Sequence, residues 1–331
     1  MLFSVIVPVY NGERFLRECL GSIKAQTFDD YELVIVDDGS TDESSAIADE
    51  YASAHPNTRV LHGPNQGLLL ARRRGLRSAQ GRYIVFLDSD DALRDDALQI
   101  LAMAIRDSGV DIVGFSHSRE PGYKKPAGVR ERLKPMVYKG TDFQRVKEKV
   151  CEGRFNSLCG KAIRLDTIDI GVPYDSYKGL MHGEDWFQLM PIIDASKSFQ
   201  QLDDILYFYR QNDTSSTAGF REKQLDDITI VNKRLAEYAV RWGGDCPAIA
   251  RVGEALQYTY LLKLSELSQV SDDEKSRNFS VICDVMQREN VFERARRAHL
   301  RPDNRLLVRT MEQGNLAAAR AIVRIVEAMK R

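Results

Sequence analysis

Little in this sequence fixes a function through one motif. Its five cysteines, Cys19, Cys151, Cys159, Cys246 and Cys283, are scattered and odd in number. They show no metal-ligand spacing, so reduced thiols in a cytosolic setting are expected. No stretch approaches the roughly 18 apolar residues that a membrane-spanning helix needs. The opening run, Met1 to Pro8, lacks a basic leader and ends in proline, so no secretory signal is expected there. The chain is therefore expected to stay cytoplasmic, on the side of the membrane where it is made. Formal net charge is -1, which gives no pull toward nucleic acid. There is no internal repeat and no low-complexity tract.

What is present is a soluble, globular composition: 43% apolar and 29% charged residues over 331 positions, enough for about two domains. The first 115 residues alternate between two periods. Short runs rich in β-branched residues stand at 3–9, 32–37, 58–62, 83–87 and 111–115, most of them continuously apolar, as in strands buried on both faces. Helical patterns lie between them. Phe15, Leu16, Cys19, Leu20 and Ile23 mark one apolar face, and Ala97, Leu98, Leu101 and Ile105 another. Such alternation implies an α/β fold, a mostly parallel sheet flanked by helices, with ligands at the carboxyl ends of the strands. Residues 116–140, with Pro121, Gly122, Pro126, Gly128 and Pro135 among many Lys and Arg, read as a long basic loop. Mixed structure follows over 141–215. From about 221 onward the pattern is helical, with segments near 221–242, 247–270, 272–290 and 314–331.

Three strand ends carry polar clusters: Pro8-Val9-Tyr10-Asn11, Asp37-Asp38-Gly39-Ser40-Thr41-Asp42 and Asp88-Ser89-Asp90-Asp91. Each alone reads equally well as a helix start, because Ser, Thr and Asp are good N-caps. Capping needs one short polar side chain, however, and not a crowd of carboxylates. Crowded carboxylates repel unless something positive sits among them, and a metal ion supplies that. In extended chain Asp88 and Asp90, two apart, point to one face. Hard cations such as Mg²⁺ typically take one or two carboxylates plus substrate phosphates.

These elements in this order resemble the family 2 glycosyltransferases of the GT-A fold. The resemblance runs through Ser4 to Asn11, Val34 to Asp42, Asn65-Gln66-Gly67 with Ala71-Arg72, Gly75 and Gly81, and Phe86 to Asp91. It continues more thinly through Gly160-Lys161 with Arg164, Gly183-Glu184-Asp185-Trp186 and Tyr207-Phe208-Tyr209-Arg210 with Ser215 and Ser216. It ends near residue 217. It implies a GT-A domain over 1–217, with a nucleotide-sugar half at 1–115 and an acceptor-side half at 116–217. A helical region over 218–331, where no resemblance extends, follows it.

The implied activity is inverting transfer of a sugar from a nucleotide-diphosphate donor, a UDP-sugar, to a hydroxyl of a glycan or lipid-linked acceptor in cell-surface polysaccharide or glycoconjugate synthesis. Pro8, Tyr10 and Asp38 would hold the nucleoside, with Asn11 and Ser89 beside them. Asn65 and Arg72 would approach the sugar-diphosphate. Asp88 would contact ribose or metal-bound water, and Asp90 would ligate Mn²⁺ or Mg²⁺. Arg210 and Ser215 would close over the phosphates, since a guanidinium suits bidentate phosphate binding. Asp185 would be the base and Glu184 its orienting neighbour, although acidic residues also favour a helix's first turn. The family usually has Asn after the Ala-Arg pair, whereas this chain has Arg73 and then Arg74. At least two of Arg72, Arg73, Arg74 and Arg77 are expected on a solvated helix face. A sugar-1-phosphate nucleotidyltransferase is the competing enzyme, but its glycine-rich, basic first loop is missing at Pro8 to Gly12. A non-catalytic nucleotide-sugar-binding module is the third reading, and the presence of Asp88, Asp90 and Asp185 together weighs against it.

Lys and Arg outnumber Asp and Glu over 288–331. There Leu316, Ala319, Ile322, Val323, Val326 and Met329 recur at helical spacing, with Arg320, Arg324, Glu327 and Arg331 opposite. Such a helix either packs its stripe on its neighbours or makes a weak, salt-sensitive peripheral contact with the inner face of the cell membrane.

Overall fold

The structure is a computed structural model that describes residues 1–127, 133–153, 155–211 and 219–329. Two compact units divide the chain: Met1–Val146 with Asn156–Gln211, and Lys147–Phe155 with Asn212–Arg331. The second unit therefore also takes the short segment 147–155 from the middle of the first.

The first unit is built on a nine-stranded sheet. Its strands are β1 (Phe3–Val9), β2 (Tyr31–Asp37), β3 (Thr58–His62), β4 (Tyr83–Phe86), β5 (Ala92–Leu93), β6 (Ile112–Ser118), β7 (Val137–Lys139), β8 (Lys161–Arg164) and β9 (Ser198–Phe208). The order is β3-β2-β1-β4-β8-β6-β9-β5, with β7 on β9. The half from β3 to β4 is wholly parallel, as the sequence implied. Beyond β4 the sheet is mixed, because β8 runs antiparallel between β4 and β6 while β9 runs parallel to β6. Every residue of β1 is buried, which is why that strand reads as an unbroken apolar run.

Helices α1 (Glu13–Lys24), α2 (Ser44–Ala54), α3 (Leu68–Ser78), α4 (Ala97–Ser108), α5 (Phe143–Cys151) and α6 (Glu184–Ala195) follow the strands. The buried residues of α1 are Leu16, Cys19, Leu20 and Ile23, four of the five expected on that face; each buried Leu or Ile contributes about 1.5–3 kcal/mol. Helix α3 lies close on β1. A Cβ at Gly75 would stand 2.5 Å from an Ile6 side-chain methyl, so glycine is what lets the helix approach.

The second unit contains α7 (Lys223–Trp242), α8 (Cys246–Leu267), α9 (Asp272–Arg288), α10 (Val291–Arg296), α11 (Pro302–Glu312) and α12 (Leu316–Ala328). Its core joins Ile228, Leu262, Phe279, Met286 and Met311 to Ala319 and Val323 of α12. Ser271 caps α9 by accepting from the Glu274 amide at 3.2 Å, and Asn315 caps α12 by accepting from the Ala318 amide at 3.1 Å. The arginines of α12 do not face out together. Arg320 is buried and donates to Glu266 and Asp272, each at 2.7 Å, and Arg324 donates to the other oxygen of Glu266 at 2.6 Å. Of the apolar stripe, Ala319 and Val323 are buried in this core, whereas Met329 is exposed. Arg320 and Arg324 thus supply the cations that a buried Glu266 needs.

Candidate active site

The carboxyl ends of β1 and β2 are tied to each other before they can serve anything else. Asn11 takes a left-handed φ of 50°. Its side-chain oxygen accepts from the Thr41 amide at 2.8 Å, and its own amide donates to Ser40 Oγ at 3.1 Å. The Gly12 amide donates to Ser44 Oγ at 2.9 Å. Asp37 accepts from Ser45, His62 and the Ser40 amide. Burial works against its charge, but these donors prevail and hold its carboxyl down at about 2. Asp38 is buried, and burial raises its pKa despite the donors around it. Its carboxylate accepts from the Gln66 amide at 3.1 Å and the Gly67 amide at 2.8 Å. The residue expected at the base thus holds the loop after β3 against the end of β2. Gly39 permits this, with φ 78° and no room for a Cβ, which would meet the Asn65 amide at 2.7 Å. Pro8 is buried within β1, whereas Tyr10 is half exposed and Asn65 exposed at the same edge.

The third cluster follows β4. Asp91 is its buried anchor, accepting from Tyr207 Oη at 2.6 Å and from the Arg210 amide at 2.8 Å. Burial, then the neighbouring Asp88, pushes its carboxyl up to about 8. Arg210 donates through Nε to the Asp90 carbonyl at 2.8 Å, pairs with Glu18 at 2.6 Å, and lies 4.5 Å over the Phe15 ring. Phe15, expected on the core face of α1, is only half-buried because it serves as this shelf. Asp88, Ser89 and Asp90 remain partly exposed at the surface that Asp91 and Arg210 shape. A Cβ on Gly12 would stand 3.1 Å from Ser89 Oγ, so the ends of β1 and β4 also meet here.

The centre of the site is Arg72. It is 1% exposed, although it stands in a run of three arginines on α3. One nitrogen donates to Asp88 Oδ1 at 3.0 Å. The other donates to Asp185 Oδ1 and lies 3.6 Å from Glu184 Oε1. One guanidinium thus bridges the acidic loop after β4 to the first turn of α6. Its own Nε has no hydrogen-bond partner among the described residues. Asp185 also accepts from the Leu158 amide at 3.1 Å. Lys161, fully buried, donates to the Ser157 carbonyl and so braces that loop; burial lowers its ammonium to about 8. Burial and the adjacent Asp185 raise the Glu184 carboxyl far above the ordinary carboxylate range.

Arg73 and Arg74 correct the expectation that at least two of the four arginines are solvated. Arg73 is buried against the Tyr174 ring and donates to the carbonyls of Asp169 and Val172. Arg74 lies 3.5 Å from Asp38 and donates to Gln66; Arg77 alone is exposed. Ser215 lies outside the described residues. Tyr207, Lys161 and Glu18 were not expected as site residues. The Tyr207–Arg210 and Gly160-Lys161 segments carried a signal, whereas nothing in the sequence singles out Glu18.

For a metal, the local donors are carboxylate oxygens. Among the described residues no group of three or more His, Cys, Asp or Glu converges as a closed cage. Asp88 and Asp90 fit the other pattern, a hard cation completed by phosphate oxygens. Burial first, and then the charge of Asp88 and Asp90, raises the Asp91 carboxyl and the buried Cys19 thiol, the latter with Asp91 contributing as well.

A mixed α/β sheet with acidic residues at its strand ends presents a ligand-binding edge. Residues 4–169 match the profile of glycosyl transferase family 2, half of the chain, and the chain belongs to that family. It is 32% identical over 231 residues to the uncharacterized glycosyltransferase EpsJ of Bacillus subtilis, covering 65% of this chain and 63% of that protein. It is 31% identical over 221 residues to the minor teichoic acid biosynthesis protein GgaB of the same organism, covering 65% of this chain and 24% of that one. The matches thus span a little under two thirds of the length of the first relatives, 63% and 64%. Among solved structures, S. aureus TarS 1-349 in complex with UDP-GlcNAc superposes with a TM-score of 0.65 at 20% identity, covering 99% of this chain and 92% of that one. A mannosyltransferase from Pyrobaculum calidifontis in complex with GDP-Man and Mn²⁺ superposes with a TM-score of 0.53 at 15% identity. These likenesses establish the shared fold. No helix among the described residues is long and apolar enough to cross a membrane.

Proposed function

We propose that the chain transfers a sugar from a nucleoside-diphosphate sugar, a UDP-sugar by preference, to an acceptor hydroxyl with inversion at the anomeric carbon. The observation that carries this reading is Arg72, which joins the donor-side loop at Asp88 to the acidic pair Glu184 and Asp185. Tyr10, exposed at the end of β1, would stack on the base, beside Pro8 and Asn11. Asp38 would act on the nucleoside through the 65–67 loop that it holds, which also presents Asn65. Ser89 and Arg210 would frame the diphosphate, and Asp88 the ribose. Mn²⁺ or Mg²⁺ held by Asp88 and Asp90 would neutralise the charge that grows on the leaving diphosphate.

Asp185 would accept the proton of the attacking hydroxyl. The acceptor oxygen forms its bond to the anomeric carbon as the bond to the diphosphate breaks, and the electron pair leaves with the nucleotide. Base and leaving group then stand on opposite faces, which gives inversion. Arg72 and the Leu158 amide would fix the orientation of Asp185, and such positioned proton transfer contributes about 10²–10⁴-fold. Glu184, holding its proton to higher pH, would donate a hydrogen bond to the acceptor. Likeness to the minor teichoic acid biosynthesis protein GgaB supports a role in surface-polymer synthesis; the acceptor would be a glycan or a lipid-linked chain.

The test is a panel of nucleotide sugars with Mn²⁺, Mg²⁺ or EDTA. Release of nucleoside diphosphate, lost with EDTA and lost in Asp90→Ala, is expected. Release of pyrophosphate from a nucleoside triphosphate and a sugar phosphate would instead establish the nucleotidyltransferase.

A further inference from the structure

The helical unit holds a cavity of about 470 Å³ between α7, α8 and the α9–α10 junction, open to solvent along Ala236 and Val240, a volume typical of small-molecule sites. Its lining is asymmetric. Toward the α7–α8 turn the walls are Ala236, Ala239 and Val240 facing Pro247 and Ala250. Toward the other end they are Asn232, Arg251, Arg294 and Arg297.

Two donors there lack acceptors. Asn232 is 8% exposed; its Oδ1 accepts from Gln257, but its Nδ2 has no partner among the described residues. Arg251 Nε is likewise buried without a partner. The nearby anions are already engaged. Glu254 takes both hydrogen bonds of Arg294, at 2.6 and 2.7 Å, Glu293 pairs with Arg297 at 3.0 Å, and Glu289 with Arg288 at 3.2 Å. Arg251 and Lys233 add two further cations to the lining. Buried donors without acceptors are costly. The excess charge at this end is positive, and the opposite end is apolar.

We infer that this cavity binds a single-chain amphiphile with an anionic head, the head accepting from Asn232 and Arg251 and the chain lying along Ala236, Ala239 and Ala250. This site is independent of the transfer reaction. Calorimetric titration of the full chain with dodecanoate and with dodecyl phosphate, below their micellar concentrations, tests it. One equivalent of at least one anion should bind, and whichever binds tighter identifies the head as carboxylate or phosphate. Ala236→Trp, on a solvent-facing position, should fill the groove and abolish binding. Asn232→Leu and Arg251→Met should each weaken it about tenfold, as expected for a lost hydrogen bond to a charged group. A retained thermal transition confirms folding. If Asn232→Leu fails to fold, Ala236→Trp and Arg251→Met carry the test. Equal affinity for dodecyltrimethylammonium, equal affinity for inorganic phosphate, no saturable binding of either dodecyl anion, or wild-type binding by folded Ala236→Trp would each overturn the inference.

Discussion

At the scale of single residues, Arg72 decides the electrostatics of the site. It faces Asp88, Asp185 and Glu184 with its guanidinium fully buried. Replacing it with Met leaves those carboxylates without their cation, a change that typically costs about 3–5 kcal/mol. Urea denaturation should show a loss of that order, and donor turnover should vanish. Lys in its place restores charge but not the fork that reaches two loops, so it should recover stability in part and activity little. Asp37 gives a pH prediction. Its folded pKa is about 2, against an ordinary 3.8. Its stabilisation is therefore complete above the ordinary value and disappears as pH falls through about 2. Asp37→Asn should be less stable by about 2 kcal/mol at pH 7, and the gap should narrow steadily in unfolding curves taken below pH 4. The acidic clusters were legible in the sequence because a helix cap needs one short polar side chain and not a crowd of carboxylates. The partner of Arg72 was not, because its pairing with Asp185 spans 113 residues, and an arginine within an arginine run reads as solvated until burial is known.

At the scale of elements, the strands of the parallel half were legible almost to the residue, since burial on both faces writes a continuous apolar run. The mixed half was not. β5 and β7 are two and three residues long, too short for any period, and the direction of β8 is set by its neighbours. Helices α10 and α11 escaped because one is six residues long and the other carries charges among its apolar positions. Helix α12 was legible as amphipathic, but its partners were not. Arg320→Met should destabilise the chain by roughly 3 kcal/mol, because Glu266 then keeps only the half-exposed Arg324; thermal unfolding would show it. With both arginines held by Glu266, any contact of the full chain with anionic vesicles is expected only at low salt, and flotation at physiological salt would contradict this.

At the scale of the whole molecule, the chain divides into two compact units. The first assembles the strand ends, the acidic loop and the start of α6 around one guanidinium; the second carries its own core and its own cavity. In the proposed reaction Asp185 takes the acceptor proton while the donor is held elsewhere. The most direct measurement pairs calorimetry of donor binding with the rate of transfer for Asp185→Asn. The amide keeps the shape but cannot take the proton. Donor affinity within about twofold of the wild type, with transfer reduced by about 10²-fold or more, is the expected result. Transfer at the wild-type rate by Asp185→Asn, with loss in Glu184→Gln instead, would contradict it.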